Sequence, residues 1–211
     1  MTFDYKKKYK EFYLPPLQPT IVDIPTMNFI AVKGKGSPHQ EDGAYKQAVG
    51  LLYTIAYTIK MSPRKGYDIN GYFDYVVPPL EGFWWQDDHQ DLDIKHKEDF
   101  QWVSFIRLPD FVSEDDVDWA KHEAYRKKQK DFSLVKFLTY HEGLCVQCMH
   151  RGSYDEENKT IELMKQYAKE YGYIPDFKKE FFHHEIYLSD PRRVKVDRLK
   201  TVIRFPIIKR S

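Results

Sequence analysis

Cysteine is scarce. Cys145 and Cys148 are the only two in 211 residues, so no disulfide framework is expected to hold the chain. Long apolar runs are missing as well. The longest, Ala48 to Ile59, is broken by Thr54 and Thr58; it is too short to cross a bilayer and reads as a buried helix. The lysine-rich opening, Met1 to Lys10, has no apolar segment of the kind a signal peptide carries, which makes the cytoplasm the expected location. An excess of one charge is also missing. Lys and Arg total 33 against 32 Asp and Glu, a formal net charge of +1. That balance argues against a protein that relies on a basic field to bind nucleic acid. Neither a membrane nor direct nucleic-acid contact is expected, and the chain is taken to act as a monomer or homodimer.

Aromatic side chains are abundant. Sixteen Tyr, 14 Phe and 4 Trp make up 16% of the chain, and 42% of all residues are hydrophobic. A chain of this length buries roughly 70% of the surface its unfolded form exposes, so a folded core is expected. Tyr and Trp, with a polar tip on an apolar body, also suit the wall of a pocket for flat molecules.

The order of elements repeats. Met27 to Val32 reads as a strand, Gly34 to Pro38 as a turn, and Glu41 and Asp42 as the acidic start of a helix. Ala48, Leu51, Leu52, Ile55 and Ile59 give that helix one apolar stripe. Pro63 and Gly66 end it, and strands follow at about 72–77 and 100–108. The second half runs the same way. A strand at 144–149 leads to the turn Arg151-Gly152-Ser153. Asp155, Glu156 and Glu157 open a helix with the stripe Ile161, Met164, Ala168 and Tyr171, and strands follow at about 180–188 and 199–207. Gly36-Ser37 matches Gly152-Ser153, Gly66-Tyr67 matches Gly172-Tyr173, and Ile106-Arg107-Leu108-Pro109 matches Ile203-Arg204-Phe205-Pro206. The predicted fold class is therefore α+β: two fused βαββ modules with pseudo-twofold symmetry, helices on one face of an antiparallel sheet and a ligand cleft on the other. One domain spans 1–211, with module one at about 20–112, a linker helix at about 113–128 and module two at about 135–208. Ser113, followed by Glu114, Asp115 and Asp116, is a suitable start for the linker helix. Gln86 to Asp99 reads as an exposed insertion.

Most local motifs have an ordinary reading. Gly34-Lys35-Gly36 lacks the rest of a phosphate loop and is a turn. Cys145 and Cys148 are three apart on a predicted strand, so they point to opposite faces and cannot share a metal. His183 and His184, adjacent on a strand, also face opposite ways. No metal site is expected. Leu80-Glu81-Gly82-Phe83-Trp84-Trp85 stands out, because two adjacent Trp beside a carboxylate suit either a strand end over the core or the wall of a pocket. From Phe181 to Leu188 the residues alternate. Phe181, His183, Glu185 and Tyr187 share one face; Phe182, His184, Ile186 and Leu188 share the other. The second set is the more apolar and is expected to pack on the helices, which puts Glu185 in the cleft between His183 and Tyr187.

Met27-Asn28-Phe29 with Gly34-Lys35-Gly36, and Glu185-Ile186-Tyr187-Leu188-Ser189-Asp190-Pro191, resemble the opening strand and closing signature of the GyrI-like small-molecule-binding family, a likeness that covers nearly the whole chain. In many members Tyr precedes the signature Glu; here His184 does. Leu80 through Trp85, Trp102 through Val112, and His141-Glu142-Gly143 through Asp155 resemble a narrower, stand-alone subfamily of cyclopropanoid cyclopropyl hydrolases. The resemblance implies two fused βαββ modules with a central cleft, and an enzyme that adds water to the cyclopropane of planar DNA-alkylating natural products of the yatakemycin and duocarmycin type. It implies that Glu185 reaches the ligand and activates the water. Tyr187, His183 and Tyr75 are candidates to hydrogen-bond the oxyanion that develops. Trp84, Trp85 and Trp102 are the expected sandwich around the aromatic body, with Phe181 on the Glu185 face and Glu81 as the next carboxylate to consider. No metal or organic cofactor is required, since ring strain drives the reaction. The alternative is a module that binds or sequesters a drug without chemistry, with Glu185 as a countercharge.

Overall fold

The computed structural model describes residues 2–86, 92–176 and 183–210. The chain opens with an arm: β1 (Phe3–Asp4) and two short helical turns, α1 (Tyr5–Lys8) and α2 (Lys10–Tyr13). Then come β2 (Thr20–Lys35), α3 (Ala44–Lys60), β3 (Tyr75–Val76), β4 (Leu80–Trp85) and β5 (Gln101–Arg107). The helix α4 (Glu114–Lys128) leads to β6 (Lys136–Arg151), α5 (Glu157–Glu170), β7 (Tyr173–Pro175), β8 (His183–Tyr187) and β9 (Lys200–Lys209).

The two halves pair their strands alike. β2 and β4 both lie against β5, and β6 and β8 both lie against β9. The halves join through β2–β6 and β4–β8, all antiparallel. Because β6 pairs with both β2 and β9, the sheet closes on itself, and β7 is added at β9. This is the βαββ order read from the sequence, with one change. The segment at 72–77 is only the two-residue β3, which pairs with the arm, and the middle strand of module one is the Leu80–Trp85 run. The matched glycines have a physical cause. Gly36 and Gly152 have φ of 113° and 127°, and Gly66 and Gly172 have φ of 72° and 81°, so each helix is entered and left through backbone that side chains disfavour.

Closure gives the sheet an outside and an inside. On the outside, the α3 stripe packs against Ile30, Val32, Trp84, Trp102 and Ile106, with Val117 and Ala120 of α4. The α5 stripe, Met164 and Ala168, packs against Val146, Cys148, Ile203 and Phe205. The inside holds Met27, Phe29, Phe83, Val103, Phe105 and Cys145. Cys145 and Cys148 thus lie on opposite faces, as strand alternation requires. α4 begins with the capping box expected at Ser113, with Asp116 as its partner. No helix among the described residues is long and apolar enough to cross a membrane. At the start of the 86–99 insertion, Gln86 is buried and hydrogen-bonds the backbone of Asp93 and His96; 87–91 lie outside the described residues.

Candidate functional site

Strand β8 carries a charged cluster on each face. Register decides their company: Glu185 sits opposite Gly82 on β4 and Ile203 on β9, and His184 sits opposite Phe83 and Arg204. Ile203 faces α5, so Glu185 faces the helices. This corrects the expected assignment of faces. Ile186 points inward, toward Tyr5, Tyr13 and Val202, and the arm covers the inward face, where Phe12 and Tyr13 help to line a pocket. The reason is the closed sheet: with apolar contacts available on both sides of β8, hydrophobicity does not tell which side holds the helices.

The inner cluster is fully paired. The His184 ring contacts Glu81 Oε2 through Nε2 and Glu142 Oε1 through Nδ1, each at 3.0 Å. Arg204 donates to Glu142 Oε2 at 3.1 Å, to Gln147 Oε1 and to the Phe12 carbonyl of the arm. The Tyr13 hydroxyl approaches Glu81 at 3.4 Å. Burial works against the Glu142 carboxylate, but the attraction of His184 and Arg204 outweighs it and holds the carboxyl down at about 2. These groups form the polar floor of a pocket walled by Met27, Phe29, Phe83 and Phe105.

The outer cluster is not fully paired. His183 Nε2 lies 2.9 Å from Glu185 Oε1 and 3.7 Å from Glu157 Oε2, and all three residues are buried. Glu157 Oε1 makes no hydrogen bond among the described residues. Desolvation, reinforced by the charge of Glu185, pushes the Glu157 carboxyl up to about 8. Desolvation alone would lower His183, but hydrogen bonds and attraction to the two carboxylates raise it to about 9. Two carboxylates thus share one imidazolium, an arrangement suited to holding and moving a proton. Glu157, His183 and Glu185 are also close enough to take a metal ion, with ligand atoms within 4.8 Å of one another.

Aromatic groups surround this cluster. The indole N–H of Trp84 donates to the Tyr187 hydroxyl at 2.7 Å, and the Tyr45 phenol lies within hydrogen-bonding range of the same hydroxyl. Tyr45, in the first turn of α3, packs against Trp84 (5.2 Å between ring centroids) and edge-on to Trp102 (5.3 Å). Tyr154 meets Tyr187 edge-on at 5.9 Å.

Of the residues singled out in the sequence, the structure brings together Glu185, His183, Tyr187, Trp84 and Trp102. It does not bring Trp85, Glu81 or Tyr75 to them. Trp85 alternates to the other face, where Lys33 lies over its ring at 5.3 Å. Glu81 belongs to the inner cluster. Tyr75 is buried among Tyr5, Tyr72 and Phe111. Phe181 lies outside the described residues. The sandwich of three Trp is therefore corrected to a wall of Trp84, Trp102 and Tyr45, because adjacent strand residues point to opposite faces. Glu157 was missed, although its spacing carries a signal. Residues 157, 161, 164 and 168 fall on one helix face, which places a carboxylate on the buried stripe of α5.

A closed βαββ pair with a buried carboxylate site on its helix side is the framework of a small-molecule-binding domain. A family model, the GyrI-like small molecule binding domain, matches residues 17–208; the chain belongs to this family. It is similar to a solved hydrolase from Listeria innocua, with 44% identity over 98% of this chain and 100% of that one and a TM-score of 0.89. It is also similar to an uncharacterized conserved protein from Listeria innocua, with 45% identity over the same shares and a TM-score of 0.91. The EcmrR C-terminal domain, 13% identical with a TM-score of 0.54 over 91% of this chain and 98% of that one, shares the fold. None of the curated proteins compared with the chain matches it.

Proposed function

We propose that this protein is a hydrolase that opens the cyclopropane of planar, DNA-alkylating natural products of the yatakemycin and duocarmycin type by adding water, and so protects the cell. The observation that carries this reading is the buried Glu157–His183–Glu185 cluster beside an aromatic wall. The reading is supported by the family match and by the neighbours described as hydrolases. In the reaction, water attacks the unsubstituted ring carbon and a cyclopropane C–C bond breaks. Its electron pair turns the conjugated carbonyl into a phenolate. Glu185 takes the water's proton as general base, and Glu157 orients the water from the other side. His183 keeps the two carboxylates close while lending them positive charge. Of the three oxyanion donors considered, Tyr187 fits best, since Trp84 fixes its oxygen on the Glu185 face of β8, while His183 is held by the carboxylates and Tyr75 packs elsewhere.

The test is to incubate the pure protein with a cyclopropane-bearing alkylator and follow the ring-opened water adduct by mass spectrometry. Glu185→Gln should bind the alkylator nearly as the wild type does and turn it over roughly 100-fold or more slowly, the scale of a positioned general base. Wild-type protein that binds the alkylator without ever forming the adduct would leave a sequestering module, with Glu185 as a countercharge.

A further inference from the structure

We propose that His183, Glu157 and Glu185 form a binding site for one zinc-type divalent cation, and that this cation blocks the proposed hydrolysis by replacing the proton on His183. The binding does not depend on the hydrolase reading; only its effect on turnover rests on it.

The two histidines of β8 show what such a site requires. Around His184 the carboxylates meet different nitrogens of the ring, Glu142 at Nδ1 and Glu81 at Nε2. A cation on either nitrogen is turned away from one of the two carboxylates. Around His183 both carboxylates approach the same nitrogen. Nε2 lies 2.9 Å from Glu185 Oε1 and 3.7 Å from Glu157 Oε2. The single N–H serves the first, and the second is beyond hydrogen-bond reach. Glu157 is only 5% exposed, and its Oε1 makes no hydrogen bond among the described residues. A buried carboxyl left in this state is costly. A cation on the Nε2 lone pair supplies the missing partner without taking one from Glu185.

Geometry and charge both fit. Zinc bonds imidazole nitrogen and carboxylate oxygen at about 2.0–2.2 Å, which puts tetrahedral neighbours about 3.3 Å apart. The two distances at Nε2 fall on either side of that value, and all three ligand atoms lie within 4.8 Å of one another. His183 and Glu185 share one face of β8, and Glu157 stands in the first turn of α5, so regular elements hold all three ligands. A dication balances two buried carboxylates, which a single imidazolium does not. As the cation enters, the proton on His183 Nε2, and any on Glu157, leaves to solvent. One nitrogen and two carboxylates suit zinc, with a fourth position for water, whereas magnesium and calcium take six or more oxygens. Once Glu185 and Glu157 ligate the cation, neither is available to accept a proton from water or to orient it.

The test uses the full chain, stripped with a chelator and dialysed. It is titrated with zinc chloride by calorimetry and with cobalt(II), whose four-coordinate complexes absorb visible light. One ion should bind per chain. Glu157→Gln and Glu185→Gln should each weaken binding at least about tenfold, no less than the loss of an outer partner costs a metal site. His96→Ala, which removes an exposed histidine beside Asp93, should leave binding unchanged. Thermal unfolding without metal checks that each variant is folded. Saturating zinc should lower turnover of the alkylator at least about tenfold, and excess chelator should restore it. The site is overturned if zinc fails to bind, if folded Glu157→Gln binds it as the wild type does, or if His96→Ala is the variant that loses it; the hydrolase reading is untouched by any of these. Magnesium bound as tightly as zinc overturns the cation class. Full turnover with zinc bound in a Glu157-dependent manner leaves the site standing and removes these carboxylates from the proposed chemistry.

Discussion

Replacing Glu157 with Gln should make the protein more stable at alkaline pH and less active. The Glu157 carboxyl is raised from 4.5 to about 8 in the folded state. The fold therefore holds that proton more tightly than the unfolded chain does, and stability is lost as pH rises from 4.5 through about 8. His183 is raised from 6.5 to about 9; its contribution is complete below pH 6.5 and is lost as pH rises through about 9. Between pH 6.5 and 9 both slopes point the same way. At about 1.4 kcal/mol for each tenfold change in proton affinity, they set a ceiling of about 5 kcal/mol on the loss. The Glu157–His183 attraction couples the two protons with opposite sign, raising His183 and lowering Glu157, so the observable loss should fall below that ceiling, at roughly 2–3 kcal/mol. The amide of the Glu157→Gln variant is not charged at any pH, and His183 keeps only Glu185 as an ionic partner, so the variant should lose about 1 kcal/mol over the same range. Urea unfolding at pH 6.5, 7.5, 8.5 and 9 measures this, and every titration common to both proteins cancels in the difference. Curves that fall in parallel, or a variant less stable than wild type at pH 9, would refute the reasoning. Turnover of the alkylator by the same variant should drop at least about tenfold.

Trp84→Phe keeps an aromatic wall but removes the donor that fixes Tyr187; kcat should fall about tenfold, with substrate affinity nearly unchanged in a direct binding assay. Trp85→Ala, on the other face, should leave alkylator binding at the wild-type level in the same assay. Glu142→Gln breaks a buried ionic network and leaves Arg204 short of its countercharge; a loss of about 3–5 kcal/mol in urea unfolding is expected. Treatment with a chelator should leave turnover unchanged, because ring strain drives the proposed reaction and no step in it uses a metal ion. In a crystal structure, residues 27–109 should superpose on 144–206 with strands and main helices overlaid, and different strand paths in the two halves would remove the pseudo-twofold relation.

Much of the fold was legible because it obeys local rules. The apolar stripes of α3 and α5 have helical spacing, and the paired glycines mark turns whose backbone needs them. The Ser113 capping box is written in four consecutive residues. What was not legible depends on closure. Nothing local shows that β6 pairs with both β2 and β9, and without that fact the inner face of β8 looks like the side against the helices. The same gap produced the place given to Glu81, whereas the three-Trp sandwich overlooked that Trp84 and Trp85, adjacent on one strand, point to opposite faces. Glu185 emerged from alternation and signature together. Glu157 and Tyr45 come to it only in three dimensions, from the first turns of two helices far apart in the chain.

The two clusters on β8 look alike in composition, each a histidine between two glutamates, and their degree of satisfaction separates them. Around His184, both ring nitrogens have carboxylate partners and Arg204 neutralises Glu142 while tying down the arm. Such a network holds its protons fixed: Glu142 is pulled down to about 2, far from any pH at which it would exchange one during turnover. Around His183, one carboxylate oxygen is left without a hydrogen bond, and the two carboxylates repel each other across a single imidazole. A buried carboxylate oxygen in this state is costly, which supports the catalytic role proposed for this cluster. A Glu157 that keeps its proton up to about pH 8 can hydrogen-bond a water whose proton the proposed base Glu185 accepts. Adjacent residues of one short strand therefore divide the labour. His184 anchors β8 inward to Glu81 on β4 and Glu142 on β6, and through Glu142 to Arg204 on β9 and the arm. That anchorage keeps Glu185 on its rung opposite Gly82, on the face to which the proposed chemistry is assigned.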